Sequence, residues 1–255
     1  MEMRIRAACI CCGGTERDKN EDNFLFDGKC LEIPNSGMQN ALKREIPVLR
    51  EPMLAAVFDG IGGSPHGDLA AYTASRAFQK LEKAQRLAIR EETAFLKELC
   101  ALASAEVKQK AAEIRCGKMG AAAAALYITG TGVFAANLGD SCIFRLRGRT
   151  LEQISQDHTD ENILRRMGLQ RTPTLLQYIG AEAGAEEPAI SMGTLQRGDW
   201  FLLCTDGLLQ AVPPKELHTL ASAMEEPGDL AENILRRLKT DGCSDDATLI
   251  AVKIG

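Results

Sequence analysis

The apolar positions along this chain keep two rhythms. Residues 4–12 form a short apolar-rich stretch that predicts a first strand, and Asn23 to about Phe26 predicts a second. A Gly13-Gly14 turn and a polar segment lie between them. The stretch 34–52 holds three prolines and scattered charges, so it predicts a loop or short helix before a strand over 53–58. From about Gly67 to Arg115 the spacing lengthens. Leu69, Tyr72, Thr73, Ala77, Phe78, Leu81 and Ala84, then Phe95, Leu99, Cys100 and Leu102, recur at helical intervals. This predicts two long helices, broken near residue 90 and paired as a hairpin.

After Gly117 the strand rhythm returns. Residues 120–128, 132–138 and 142–147 read as strands joined by tight turns at Thr129-Gly130-Thr131-Gly132 and Gly139-Asp140-Ser141. The run Ala121 to Ala125 fits a tightly packed strand. The stretch 158–188 is mixed and only partly helical, around Asn162 to Met167. Strands are predicted again over 199–205 and 247–254, with a helix near 229–239 between them. Strands joined by short hairpins, with helices in separate blocks, predict an α+β fold with antiparallel sheets.

At 255 residues the chain suits a single domain, 1–255, with a sizeable core. A net charge of −5 argues against a nucleic-acid or anionic-membrane surface. The basic run Arg145-Leu146-Arg147-Gly148-Arg149 reads as a solvated hairpin edge. The cysteine count is odd, nine, and several sit in apolar runs, which fits a reducing compartment and small buried hydrophobes. No signal peptide is apparent behind Met1-Glu2-Met3-Arg4, and no run approaches the ~18 apolar residues of a membrane span. The expectation is a cytoplasmic monomer with no nucleic-acid or membrane partner.

The chemistry gathers at strand ends. Two apolar runs finish in Asp-Gly, at Asp59-Gly60 and Asp206-Gly207, and two further acidic clusters, Asn20-Glu21-Asp22 and Asp245-Asp246, abut strand-like runs. Isolated ionised carboxylates are costly to desolvate unless paired or metal-bound. An all-oxygen set of this kind suits hard divalent cations such as Mg²⁺ or Mn²⁺.

Six motifs follow in order: Arg17-x-x-Asn20-Glu21-Asp22, Val57-Phe58-Asp59-Gly60-x-Gly62-Gly63, Asn137-Leu138-Gly139-Asp140-Ser141, Asp157-His158-Thr159, Leu203-Cys204-Thr205-Asp206-Gly207-Leu208 and Ser244-Asp245-Asp246-Ala247-Thr248. From end to end the chain resembles the metal-dependent type 2C (PPM superfamily) serine/threonine protein phosphatases, in their compact bacterial form. The resemblance implies a four-layer α-β-β-α sandwich, two central antiparallel sheets flanked by helical hairpins. It implies two Mn²⁺ or Mg²⁺ ions bridged by Asp59, with the Gly60 carbonyl, Asp206 and Asp245 completing their protein ligands and Glu21 serving the second ion. Asp22 would orient the site. Asp140 matches the position that helps hold a weaker third ion, though a plain turn residue is the alternative. Arg17 would grip the substrate phosphate through its guanidinium fork. A hydroxide shared by the two ions would attack phosphorus directly, with no phosphoenzyme. The implied substrates are phosphoproteins of a cytosolic serine/threonine kinase, and residues 159–187 would be the short variable flap.

Some positions depart from the pattern. Ile61 stands where eukaryotic relatives carry a histidine proposed as the leaving-group acid, so that role is unassigned. Ala121 and Ala122 replace usual threonines, Cys142 replaces a common arginine, and Asp246 replaces a frequent asparagine. Two other readings stay open: a regulatory module of the same fold without turnover, and a phosphatase of a small phosphoester or of a phosphorylated anti-anti-sigma-type regulator.

Overall fold

The computed structural model describes residues 3–47, 51–61, 66–85, 91–182 and 187–255. The predicted helix break near residue 90 and the Gly62-Gly63-Ser64-Pro65 breaker lie outside the described residues. One sheet contains, in spatial order, β3 (Leu42–Pro47), β1 (Arg4–Cys12), β11 (Ala247–Ile254), β10 (Trp200–Cys204), β7 (Cys142–Arg147) and β8 (Thr150–Gln153). The other contains β2 (Asp22–Phe26), β4 (Met53–Gly60), β5 (Ala121–Ile128), β6 (Val133–Leu138) and β9 (Ala189–Gly193). Every pairing is antiparallel.

Three apolar layers hold the molecule together. Ile5, Ala7, Cys9 and Cys11 of β1 face the space between the sheets, where they meet Phe24, Phe26, Val57, Leu126 and Phe201. The alternate residues Ala8, Ile10 and Cys12 face outward, onto a layer that includes Leu208 of α4 (Asp206–Ala211), Leu217 of α5 (Pro214–Ala223) and Leu230 and Ile234 of α6 (Pro227–Asp241). Phe58 and Phe78 meet edge-on, 5.0 Å between ring centroids, in the third layer. That layer packs the second sheet against α1 (Gly67–Gln85) and α2 (Glu92–Glu113). The arrangement is the α-β-β-α sandwich, and burial on both faces is why the strands read as unbroken apolar runs instead of alternating ones.

Cys9 and Cys12 stand three apart, a metal or redox spacing. The strand period of two sends them to opposite faces of β1, so they make no pair. The alanine run of β5 alternates likewise: Ala123 and Ala125 face the helices, and Ala124 faces the other sheet.

Several elements differ from the sequence expectation. β3 lies inside the stretch expected as loop or helix, and β8, β9, α4 and α5 were not anticipated. The basic run on the β7–β8 hairpin is also not simply solvated. Arg147 donates through Nε and Nη2 to both carboxyl oxygens of Asp199, each at 2.7 Å, and Asp199 is only 1% exposed. Among the described residues no helix is long and apolar enough to cross a membrane.

Candidate active site at the acidic end of the two sheets

The antiparallel register brings two acids together first. Asp22 at the start of β2 lies opposite Asp59 near the end of β4. Asp206, the first residue of α4, follows β10 directly, and Asp245 and Asp246 precede β11. Asp140 occupies the turn between β6 and β7. Arg17 and Glu21 lie on the connection between β1 and β2.

Glycines let these backbones close on one another. A Cβ on Gly60 would strike the Gly67 carbonyl, and one on Gly207 would strike the Asp246 carbonyl. Each Asp-Gly therefore combines a carboxylate with a backbone contact that no larger residue allows.

Asp22 is buried, and its Oδ2 accepts hydrogen bonds from Thr205 Oγ1 at 2.8 Å and Thr248 Oγ1 at 2.6 Å. Thr205 Oγ1 in turn accepts from the Thr248 backbone N–H at 2.9 Å, tying β10 to β11 beneath the acids. Burial pushes the Asp22 acid well up, partly offset by the Thr248 hydroxyl, and its Oδ1 has no hydrogen-bond partner among the described residues. The Asp59 acid is likewise pushed well up by burial, then by the Asp22 and Asp206 charges, with a hydrogen bond to Asp206 and the Asp140 charge adding to it. Asp140 is pushed up to about 6 by burial and the Asp206 charge. Like charges this close favour the protonated acid unless a cation compensates.

Asp246 makes two bonds that the sequence did not foretell. Its Oδ1 accepts from the Gly14 N–H at 2.8 Å and its Oδ2 from the Glu21 N–H at 2.7 Å. A carboxylate satisfies both donors, whereas an asparagine would turn its own NH₂ toward one of them. The Gly60 N–H donates to the Glu21 carbonyl at 3.0 Å, which joins this loop to the Asp59 strand. The Glu21 acid is raised by burial, with Arg17 pulling the other way.

Arg17 does not stand free. Its Nε and Nη2 donate to Asp245 Oδ1 and Oδ2, both at 2.8 Å, and its Nη1 reaches Glu21 Oε2 at 3.4 Å. His158 has a structural place: its N–H donates to the Gly139 carbonyl at 2.9 Å, and its Nδ1 accepts the Gly139 N–H at 3.3 Å. Burial lowers its pKa, in keeping with a neutral acceptor ring. The alanines that depart from the motif also fit. Ala122 lies opposite Asp59, and its methyl group fills the space where a Cβ on Gly139 would fall. Ile61 ties its N–H to the Gly120 carbonyl at 3.0 Å and offers no titratable group.

The structure brings the eight residues expected at the site, Arg17, Glu21, Asp22, Asp59, Gly60, Asp140, Asp206 and Asp245, onto strand ends, one helix start and the connections beside them at this acidic rim. The hydroxyls of Thr205 and Thr248, the clamp made by Asp246 and the Arg17–Asp245 pair were not foreseen. The threonines lie inside quoted motifs, and their signal was a hydroxyl one or two positions from an acid at a strand end. Among the described residues no three Asp, Glu, His or Cys side chains stand close enough to cage a cation by themselves. Any ion here would therefore take much of its coordination from water, as Mg²⁺ and Mn²⁺ commonly do.

The sequence profile of the protein phosphatase 2C family matches residues 44–246, and the chain belongs to that family. It is 28% identical over 212 residues to the serine/threonine phosphatase stp of Listeria welshimeri, a match covering 78% of this chain and 84% of that one. It resembles the structure of PppA from Pseudomonas aeruginosa with a TM-score of 0.75 and 25% identity, covering 98% of both chains. It shares its fold with the catalytic domain of the phosphatase PstP, solved with two manganese ions, at a TM-score of 0.77, 21% identity and 99% coverage of both. The chain is a phosphoprotein phosphatase.

Proposed function

We propose that this enzyme hydrolyses phosphoserine and phosphothreonine in proteins, as one domain acting in the cytoplasm against a serine/threonine kinase. The observation that carries the proposal is the convergence of Asp59, Asp206, Asp140 and Asp22 above the Thr205–Thr248 hydroxyl pair, with Glu21 and Asp245 joined through Arg17. The donors are all oxygen, one buried carboxyl oxygen is unpartnered among the described residues, and the acids repel one another. These features fit Mn²⁺ or Mg²⁺. Asp59 would bridge two ions, with Asp206 and the Gly60 carbonyl on the first, Asp245 joining them once its carboxylate turns from Arg17, Glu21 facing the second and Asp140 available to a weaker third. Such ions, when bound, would supply an acidified water as nucleophile at neutral pH and would offset the negative charge of the phosphoester.

The chain's own groups do the remaining work. Thr205 and Thr248 fix Asp22, Asp22 and Asp206 set the charge around Asp59, and Asp246 holds the Glu21 backbone in place. Arg17 would bind the phosphate. The test is hydrolysis of a phosphothreonine peptide and of p-nitrophenyl phosphate, with Mn²⁺ and with EDTA. Metal-dependent turnover of the peptide supports the proposal. Turnover of the small ester alone points to a small-phosphoester substrate, and no metal-dependent turnover of either refutes it.

A further inference from the structure

The Arg17 guanidinium offers two two-nitrogen edges, and the one made of Nε and Nη2 is on Asp245. Either edge matches a phosphate with two parallel hydrogen bonds, and the Nε–Nη2 edge cannot hold Asp245 and a phosphate at once. The third nitrogen, Nη1, reaches Glu21, so one guanidinium spans two carboxylates assigned above to different ions.

The backbone around Arg17 is clamped. Gly14 and Glu21 both donate their N–H groups to Asp246, the Thr15 N–H donates to the Cys243 carbonyl at 2.8 Å, and Gly14 lies directly against the Asp245 backbone. Residues 14–21 are therefore fastened to residues 243–246, and freedom is left to the Arg17 side chain, which is 34% exposed. Asp245 and Glu21 are less exposed, at 23% and 16%.

We propose that Arg17 is an internal latch, its fork held by Asp245 until a divalent cation takes that carboxylate and frees the fork for the substrate phosphate. The inference rests on the reading of Asp245 as a cation ligand. It gives the site an order: cation first, phosphate second. The latch and the cation compete for one carboxylate, so removing the latch tightens cation binding. Phosphate and cation, in contrast, bind with positive coupling, because each favours the swung-out arginine.

The test measures Mn²⁺ binding by isothermal titration calorimetry on the metal-stripped full chain, in buffer without phosphate. Arg17→Ala is expected to bind Mn²⁺ about tenfold more tightly than wild type, which is the scale of one charge-assisted hydrogen-bonded pair. Arg17→Lys, which keeps the charge and loses the fork, is expected to fall between the two. Lys19→Ala removes a neighbouring positive charge, paired with Asp68 at 3.4 Å, and is expected to change affinity by less than about twofold. Inorganic phosphate added to wild type is expected to tighten Mn²⁺ binding, and to leave it unchanged in Arg17→Ala. Mn²⁺ affinity in Arg17→Ala at or below that of wild type overturns the latch, as does an equal gain in Lys19→Ala, which would reduce the effect to net charge. Wild type that takes up no Mn²⁺ overturns the metal-centre reading together with the latch. Wild type that binds Mn²⁺, with no gain in Arg17→Ala, overturns the latch alone.

Discussion

Replacing Asp140 with asparagine should stabilise the metal-free protein at neutral pH and leave it unchanged in acid. Asp140 sits in the β6–β7 turn, and burial with the Asp206 charge raises its acid from 3.8 to about 6. Between those values the folded chain holds a proton that the unfolded chain releases, and above them it carries a charge that its surroundings disfavour. A raised carboxyl pKa contributes stability that is fully present below the unfolded value and is lost as pH rises through the folded one. The difference is about two pH units at about 1.4 kcal/mol each, so about 3 kcal/mol at most. Partial exposure screens some of this, leaving about 2 kcal/mol. Asparagine keeps the shape and does not ionise. In EDTA at pH 7.5, Asp140→Asn should therefore melt about 4–8 °C above wild type, with the gap closing near pH 4. The assay is thermal unfolding across that pH range, followed by circular dichroism. No gain at pH 7.5, or a gain of the same size at both ends, would refute the reasoning.

Two other substitutions probe how the site is supported. Gly207→Ala places a methyl group against the Asp246 carbonyl; it should lower stability by about 1–3 kcal/mol and weaken Mn²⁺ binding, because α4 and the Asp245 turn must separate. Unchanged melting and Mn²⁺ titration curves would contradict that contact. Arg147→Ala leaves the buried Asp199 without its bidentate partner and should cost about 2–4 kcal/mol in urea unfolding while kcat stays at the wild-type value. A loss of kcat in the folded variant would show that the pair supports the site.

The parts of the fold legible in sequence are those whose burial dictates their pattern. β1, with apolar residues facing two different layers, and the α1–α2 hairpin, with its three-four spacing, could not be read otherwise. β3 was hidden because it is an edge strand. Lys43, Arg44 and Glu45 run along it, as suits an exposed edge, and they look like loop composition. β9 is the edge of the other sheet, short and half-buried, and gives no alternation to read. α4 was missed because it begins on the residue that ends the Thr-Asp motif and runs for six residues, too few to show a period. At the site, the acids were legible because each stands out at the end of an apolar run. Their supports were not. Whether Thr248 bonds Asp22, or Arg17 turns to Asp245, depends on contacts between residues more than 220 positions apart.

The central claim is that the acidic rim holds two divalent cations with Asp59 between them. The most direct measurement is Mn²⁺ titration of the metal-stripped protein by calorimetry, comparing wild type with Asp59→Asn and Asp245→Asn. The account predicts two tight Mn²⁺ ions per chain in wild type, loss of both tight sites in Asp59→Asn and loss of one in Asp245→Asn. Two ions bound by Asp59→Asn with wild-type affinity would contradict it.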